Sequence, residues 1–211
     1  MTDAVITAEK LLQAEAIKLS PSQPFTWASG WKSPIYCDNR KLLSLPYTRD
    51  FIKSELANTV FEKFADADVI AGVATAGIAW GAMVADQLKL PFIYVRPKPK
   101  EHGLGNQIEG HFEPNQKVVV IEDLVSTGKS SLQVVDVLRA ANLEVVGMVS
   151  IFNYMFENGV EAFQKAEITL FSLTEYTTLI NLALEKGIVP SSAKDILLKW
   201  RTDPANWTGE E

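Results

Sequence analysis

The chain has 211 residues, 47% of them hydrophobic, a formal net charge of −6 and a pI near 5.1. A chain of this size buries roughly 70% of the surface its unfolded form exposes, so one compact domain needs no disulfide or metal staple. The acidity disfavours general nucleic-acid binding, the single cysteine rules out an internal disulfide, and Cys37 with only His102 and His111 cannot close a Cys/His zinc site.

From the N-terminus, Met1–Lys10 carries acids and lacks the charged-then-apolar plan of a signal peptide. No apolar run approaches the ~20 residues of a membrane span. With a lone cysteine, expected to be an inert thiol, this points to a protein of the reducing cytoplasm with no membrane partner. Thr7–Leu19 and Tyr47–Phe64 read as helices. Between them Ser20–Leu45 is rich in Pro, Ser and aromatics, which predicts irregular or hairpin-like structure, a lid over a ligand edge. Residues 1–65 thus form an N-terminal segment, and 66–211 an α/β core integrated with it.

In the core, Val69–Ala74, Phe92–Val95, Val118–Ile121, Val145–Ile151 and Ile168–Leu173 are short, nearly continuous apolar runs, as strands buried on both faces should be. Ala76–Leu88 and Lys129–Ala141 between them read as helices, the second with Leu132, Val135 and Leu138 at helical spacing. Alternating strand and helix imply an α/β fold, a parallel sheet flanked by helices. Ligands of such sheets bind outside the carboxyl ends of the strands. Pro97–Gly110 (PKPKEHGLGNQIEG) is polar and long for a loop, the kind that tends to carry function. Asp203–Glu211 reads as a solvated tail.

Val118–Ser131 (VVVIEDLVSTGKSS) is the most informative stretch: an apolar strand, two acids, a Ser/Thr/Gly turn and a helix start. Helix N-termini present unpaired N–H groups and partial positive charge to phosphate. Gly128 allows close approach, Ser126, Thr127 and Ser130 add hydroxyls, and Lys129 adds charge. The bland alternative is an ordinary helix cap. A nucleotide-triphosphatase loop is excluded, because the position five before Gly128 is Asp123 rather than the required glycine. Carboxylates suit sugar hydroxyls better than phosphate, so Glu122 and Asp123 beside the turn point to a pentose 5-phosphate.

Val118–Ser130 resembles the phosphoribosyl pyrophosphate (PRPP) motif of the type I phosphoribosyltransferases. Phe25–Arg40 (FTWASGWKSPIYCDNR) resembles the N-terminal hood of the orotate phosphoribosyltransferases, and Tyr94–Gly105 (YVRPKPKEHGLG) their mobile catalytic loop. Gly72–Gly77 (GVATAG) is similar to the pyrophosphate-side loop. The resemblance implies the type I phosphoribosyltransferase fold with a small hood. It implies PRPP and orotate as substrates, Mg²⁺ held mainly by PRPP oxygens, and a homodimer whose loop serves the neighbouring site. Carried over, Glu122, Asp123, Leu124, Val125, Ser126, Thr127, Gly128, Lys129 and Ser130 bind PRPP, while Arg96, Lys100 and His102 meet its pyrophosphate. Lys100, His102 and Asp123 are the catalytic candidates. No covalent enzyme intermediate is required.

Three departures stand out. Pro97 and Ala28 replace lysines of some relatives. No arginine lies in Phe152–Phe156, where some relatives use one on the orotate carboxylate. Ser126, with backbone N–H groups of Lys32–Tyr36, is the expected substitute, and Lys32 a weaker one. The alternatives are a purine or uracil phosphoribosyltransferase, disfavoured by the hood motif, and a PRPP-sensing regulator that binds nucleic acid, disfavoured by the acidity.

Overall fold

The computed structural model describes residues 3–27, 29–98 and 107–209. Helix α1 (Asp3–Gln13) leads into a set of short hood strands: β1 (Ile17–Leu19), β2 (Phe25–Thr26), β3 (Lys32–Ser33) and β4 (Ile35–Cys37). A 3-10 turn (Asn39–Ser44) connects them to α2 (Pro46–Lys63). The core follows as β5 (Val69–Val73), α3 (Ala76–Leu88), β6 (Phe92–Val95), β7 (Ile108–Glu109), β8 (Lys117–Val125), α4 (Lys129–Ala140) and β9 (Glu144–Asn153). It ends with α5 (Glu157–Lys165), β10 (Leu170–Glu175), α6 (Tyr176–Glu185) and α7 (Lys194–Thr202).

The main sheet has the order β10-β9-β8-β5-β6-β7. Its strands are parallel except β7, which pairs antiparallel with β6. This is the expected parallel sheet flanked by helices. Because side chains alternate along a strand, β8 feeds two cores. Val119 and Ile121 join Leu11, Leu56 and Trp80 of α1, α2 and α3. Val118 and Val120 join Val134, Val135 and Leu138 of α4. The N-terminal helices therefore share a core with the sheet.

Several expectations are corrected. Thr7–Leu19 is not one helix: α1 stops at Gln13, Glu15 takes a left-handed φ of 50°, and Ile17–Leu19 pairs with β4. Strand β8 does not end at Ile121 but runs to Val125, because β9 accompanies it as far as Val125↔Asn153. Pro97–Gly110 is not wholly irregular, since Ile108 pairs with Val95 and Glu109 with Tyr94. The tail seats Trp207 partly buried against the core. Among the described residues no helix is long and apolar enough to cross a membrane.

Candidate active site

The carboxyl ends of β5, β6, β8 and β9 lie along one edge of the sheet, where the hood reaches β8 through Asn39 and the end of β9 through Trp27. The Ser/Thr/Gly turn, Ser126–Gly128, lies there between β8 and α4. Gly128 opens α4 with φ 75°, and a Cβ on it would fall 2.7 Å from the Phe163 ring of α5. The position accepts only glycine for two reasons, left-handed backbone and lack of space. Gly159 of α5 supports the turn from below, where a Cβ would meet the Ser126 carbonyl at 2.7 Å. Lys129 and Ser130 are exposed, Ser126 and Thr127 half-buried, and Leu124 and Val125 lead in from the strand. On the far side Gly77 lies so close to the Ile121 carbonyl that a Cβ would come within 2.6 Å of it. The Ala74–Thr75 peptide of that loop is cis.

The two acids lie within β8, not beyond its end, and their side chains take different partners. Glu122 is 5% exposed and faces α4, where its carboxyl accepts Ser131 Oγ at 2.9 Å and the Asp123 N–H at 3.0 Å. Burial, then the neighbouring Asp123 carboxylate, pushes the Glu122 carboxyl well above its ordinary range. Burial also raises Asp123, offset by a hydrogen bond from Glu122 and by the charge of Arg40. Both carboxyls are thus raised, Glu122 more strongly, while Asp123 keeps the offsetting charge of Arg40.

The hood covers Asp123. Asn39, 1% exposed, donates from Nδ2 to the Asp123 carbonyl at 2.7 Å. Its Oδ1 accepts from Cys37 Sγ at 3.4 Å. Burial, with Asp123 and Asp38 nearby, pushes the Cys37 thiol well up, so it stays protonated and unreactive near neutrality. Arg40 donates through Nε to Asp38 at 2.6 Å. The hood is fixed from behind by aromatics. Trp27 Nε1 donates to the Ile35 carbonyl at 3.1 Å, and Trp200 Nε1 of α7 to that of Lys32 at 3.1 Å. Trp27, Tyr154, Phe156 and Trp200 pack ring to ring.

Arg96 stands at the end of β6. Its backbone exchanges hydrogen bonds with Gln107, 2.9 Å to the main-chain carbonyl and 2.7 Å from the side-chain amide. Its guanidinium lies 3.7 Å from Glu109. Lys100, His102 and Ala28 lie outside the described residues. Lys32 donates to Thr26 Oγ1 at 3.0 Å on the exposed hairpin. Phe152, Tyr154 and Phe156 are buried apolar packing. Sequence reasoning missed Asn39, Arg40 and Ser131. Asn39 sits 84 residues from its partner, and a polar D-N-R run signals only a turn.

Residues 50–171 match the phosphoribosyl transferase domain model. An orotate phosphoribosyltransferase of Phocaeicola vulgatus is 54% identical over 200 residues, covering 95% of this chain and 94% of that protein. Another, from Porphyromonas gingivalis, is 52% identical and covers 96% of each. The crystal structure of orotate phosphoribosyltransferase from Aeropyrum pernix matches with a TM-score of 0.74 at 28% identity, covering 87% of this chain and 99% of that one.

Proposed function

This chain belongs to the orotate phosphoribosyltransferases, and from that premise we propose that it transfers the ribose 5-phosphate of PRPP to orotate. The products are orotidine 5′-monophosphate and pyrophosphate, a glycosyl transfer of pyrimidine biosynthesis. The observation that carries the reading is the run of β8 through Asp123, under the hood, directly into the Gly128 turn. One strand thus presents a sugar acceptor and a phosphate cradle side by side.

The 5-phosphate rests on the turn Ser126–Ser130, at N–H groups and hydroxyls of the α4 start. A ring nitrogen of orotate attacks C1 as pyrophosphate departs, and the ribose becomes oxocarbenium-like. Asp123 holds ribose hydroxyls close to that positive charge. Glu122, turned to Ser131, supports the turn from the opposite face and adds less to the sugar contact. Arg96, Lys100 and His102 stabilise the charge gained by the leaving pyrophosphate, a contact stronger in the transition state than in the substrate. The 3.7 Å pairing of Arg96 with Glu109 is long enough for a phosphate oxygen to displace. Mg²⁺ fits this donor set as an ion held by substrate oxygens. Among the described residues no three His, Cys, Asp or Glu side chains gather to hold a metal, and Mg²⁺ keeps to phosphate and water. When bound, it neutralises pyrophosphate charge.

For the orotate carboxylate, Ser126 and the hood N–H groups within Lys32–Tyr36 supply the donors, apart from Pro34, which has none, and Ile35, whose N–H is held by Ser33 Oγ at 3.2 Å, since burying that charge unpaired costs several kcal/mol. We place the enzyme in the cytoplasm as a homodimer with Lys100 and His102 serving the neighbouring site. The exposed apolar residues Leu45, Tyr47 (93% exposed) and Phe61 on and beside α2 support such an interface.

The test follows orotate by ultraviolet absorbance with PRPP and Mg²⁺, and with each omitted. Consumption is expected only with both, and orotate should be preferred over uracil by at least ~100-fold, because a site built for a polar group rejects the analogue lacking it. Comparable turnover of uracil, or a preference for hypoxanthine or adenine, would overturn the base assignment and leave the phosphoribosyl transfer standing.

A further inference from the structure

We infer that Asn39 is a positioning residue for the transfer, acting through Asp123; the inference rests on the reading of Asp123 as the ribose acid. Strand β5 leaves the ladder with β8 at Gly72↔Ile121. On the other side Asp123 falls between the rungs Glu122↔Ser150 and Leu124↔Phe152. A buried carbonyl needs a donor, and the one that reaches Asp123 comes from the hood, Asn39 Nδ2 at 2.7 Å. The amide thus takes the place of a neighbouring strand at the residue whose carboxylate must be aimed.

Its own orientation is set on every side. Cys37 Sγ donates to Oδ1 at 3.4 Å, which fixes which end of the amide faces Asp123. The preceding residue is anchored through its N–H to the Ala16 carbonyl at 2.7 Å and through its carboxylate to Arg40 Nε at 2.6 Å. Leu42 in the same 3-10 turn is fully buried. The bond therefore joins two rigid bodies, the hood that receives the base and the strand that holds the ribose. It fixes their separation at the point where the new glycosidic bond forms. Small misplacements of reacting groups cost large factors in rate, so the contact bears on the chemistry without touching a substrate.

A merely structural Asn39 would soften the hood and so change the orotate KM. A positioning Asn39 changes what depends on Asp123. In Asn39→Ala, kcat/KM for PRPP should fall at least about tenfold while the orotate KM moves less than about threefold. In an Asp123→Asn background the same substitution should cost less than about threefold, because residues acting as a unit are not additive. Asn39→Asp keeps the acceptor for Cys37 but puts an oxygen against the Asp123 carbonyl. It should reproduce the loss, and it replaces Asn39→Ala if that variant does not fold. Equal losses in both backgrounds, a shift confined to the orotate KM, or full activity in Asn39→Asp would overturn the inference. Wild-type turnover of orotate separates this outcome from failure of the functional reading. Were that turnover absent, PRPP affinity by calorimetry over the same variants tests Asn39 independently.

Discussion

Asp123 and Glu122 are adjacent in sequence but project to opposite sides of β8, Glu122 onto Ser131 of α4, and the difference is measurable. On the proposed reading Asp123 meets the sugar hydroxyls, so Asp123→Asn should lower kcat/KM by roughly ten- to a hundredfold with the fold intact, since hydrogen bonds to charged groups are worth about 1.5–3 kcal/mol. Steady-state kinetics beside a thermal melt separates the two effects, and near-wild-type rates would remove Asp123 from the ribose. Glu122 is a buried acid raised well above its ordinary range by burial and by Asp123. A carboxyl so raised binds its proton more tightly folded than unfolded. Its stabilising contribution is full below the unfolded value of about 4.3 and is lost as pH rises through the folded one. Wild-type stability should therefore decline with pH across that window, and Glu122→Gln, which has no proton to lose, should flatten the decline in pH-dependent denaturation. The pair of acids beside a Ser/Thr/Gly turn was legible from the residues alone. Their divergence was not, because it depends on β8 continuing past Ile121, which β9 decides. Nor was Asn39, whose partner lies 84 residues away.

At the level of elements, local pattern carried furthest where one element satisfies its own requirements. The sequence reading gave Ala76–Leu88 and Phe92–Val95 the bounds they have, since an apolar strand or a capped helix declares itself. It failed at Thr7–Leu19, where the chain turns at Glu15 with no glycine or proline to mark the break and Ile17–Leu19 is a strand only because β4 pairs with it. The turn at Ser126–Gly128 depends on α5 as well as on its own residues. In Gly128→Ala the methyl would meet Phe163 while the backbone stays left-handed. A stability loss of about 1–2 kcal/mol is expected from the backbone alone, together with a raised PRPP KM, by chemical denaturation and kinetics. The hood likewise depends on α7. Trp200→Phe removes the donor to the Lys32 carbonyl and should cost about 1–3 kcal/mol, raising the orotate KM more than the PRPP KM. An unchanged orotate KM would mean that the hood holds its shape without α7.

For the molecule as a whole, a site shared between subunits makes a quantitative claim. A Lys100→Ala chain mixed and refolded with an Asp123→Asn chain would place both lesions in one site of the mixed dimer and neither in the other. With random pairing about a quarter of all sites would then be intact, so activity should rise to near that fraction of wild type. Mixtures that never exceed their parents would confine Lys100 to its own subunit or exclude a dimer. One contact also orders events in time. The Trp200–Lys32 hydrogen bond spans 168 residues of chain. At roughly 5–20 residues per second, a ribosome releases the hood about ten to thirty seconds before the helix that braces it. Through that interval β1–β4 wait first for the strands of the sheet and last for Trp200, and until then the aromatic cluster of Trp27 and Tyr154 lacks its keystone. The hood is therefore among the last parts of the enzyme to mature during synthesis, although its residues are among the first to be made.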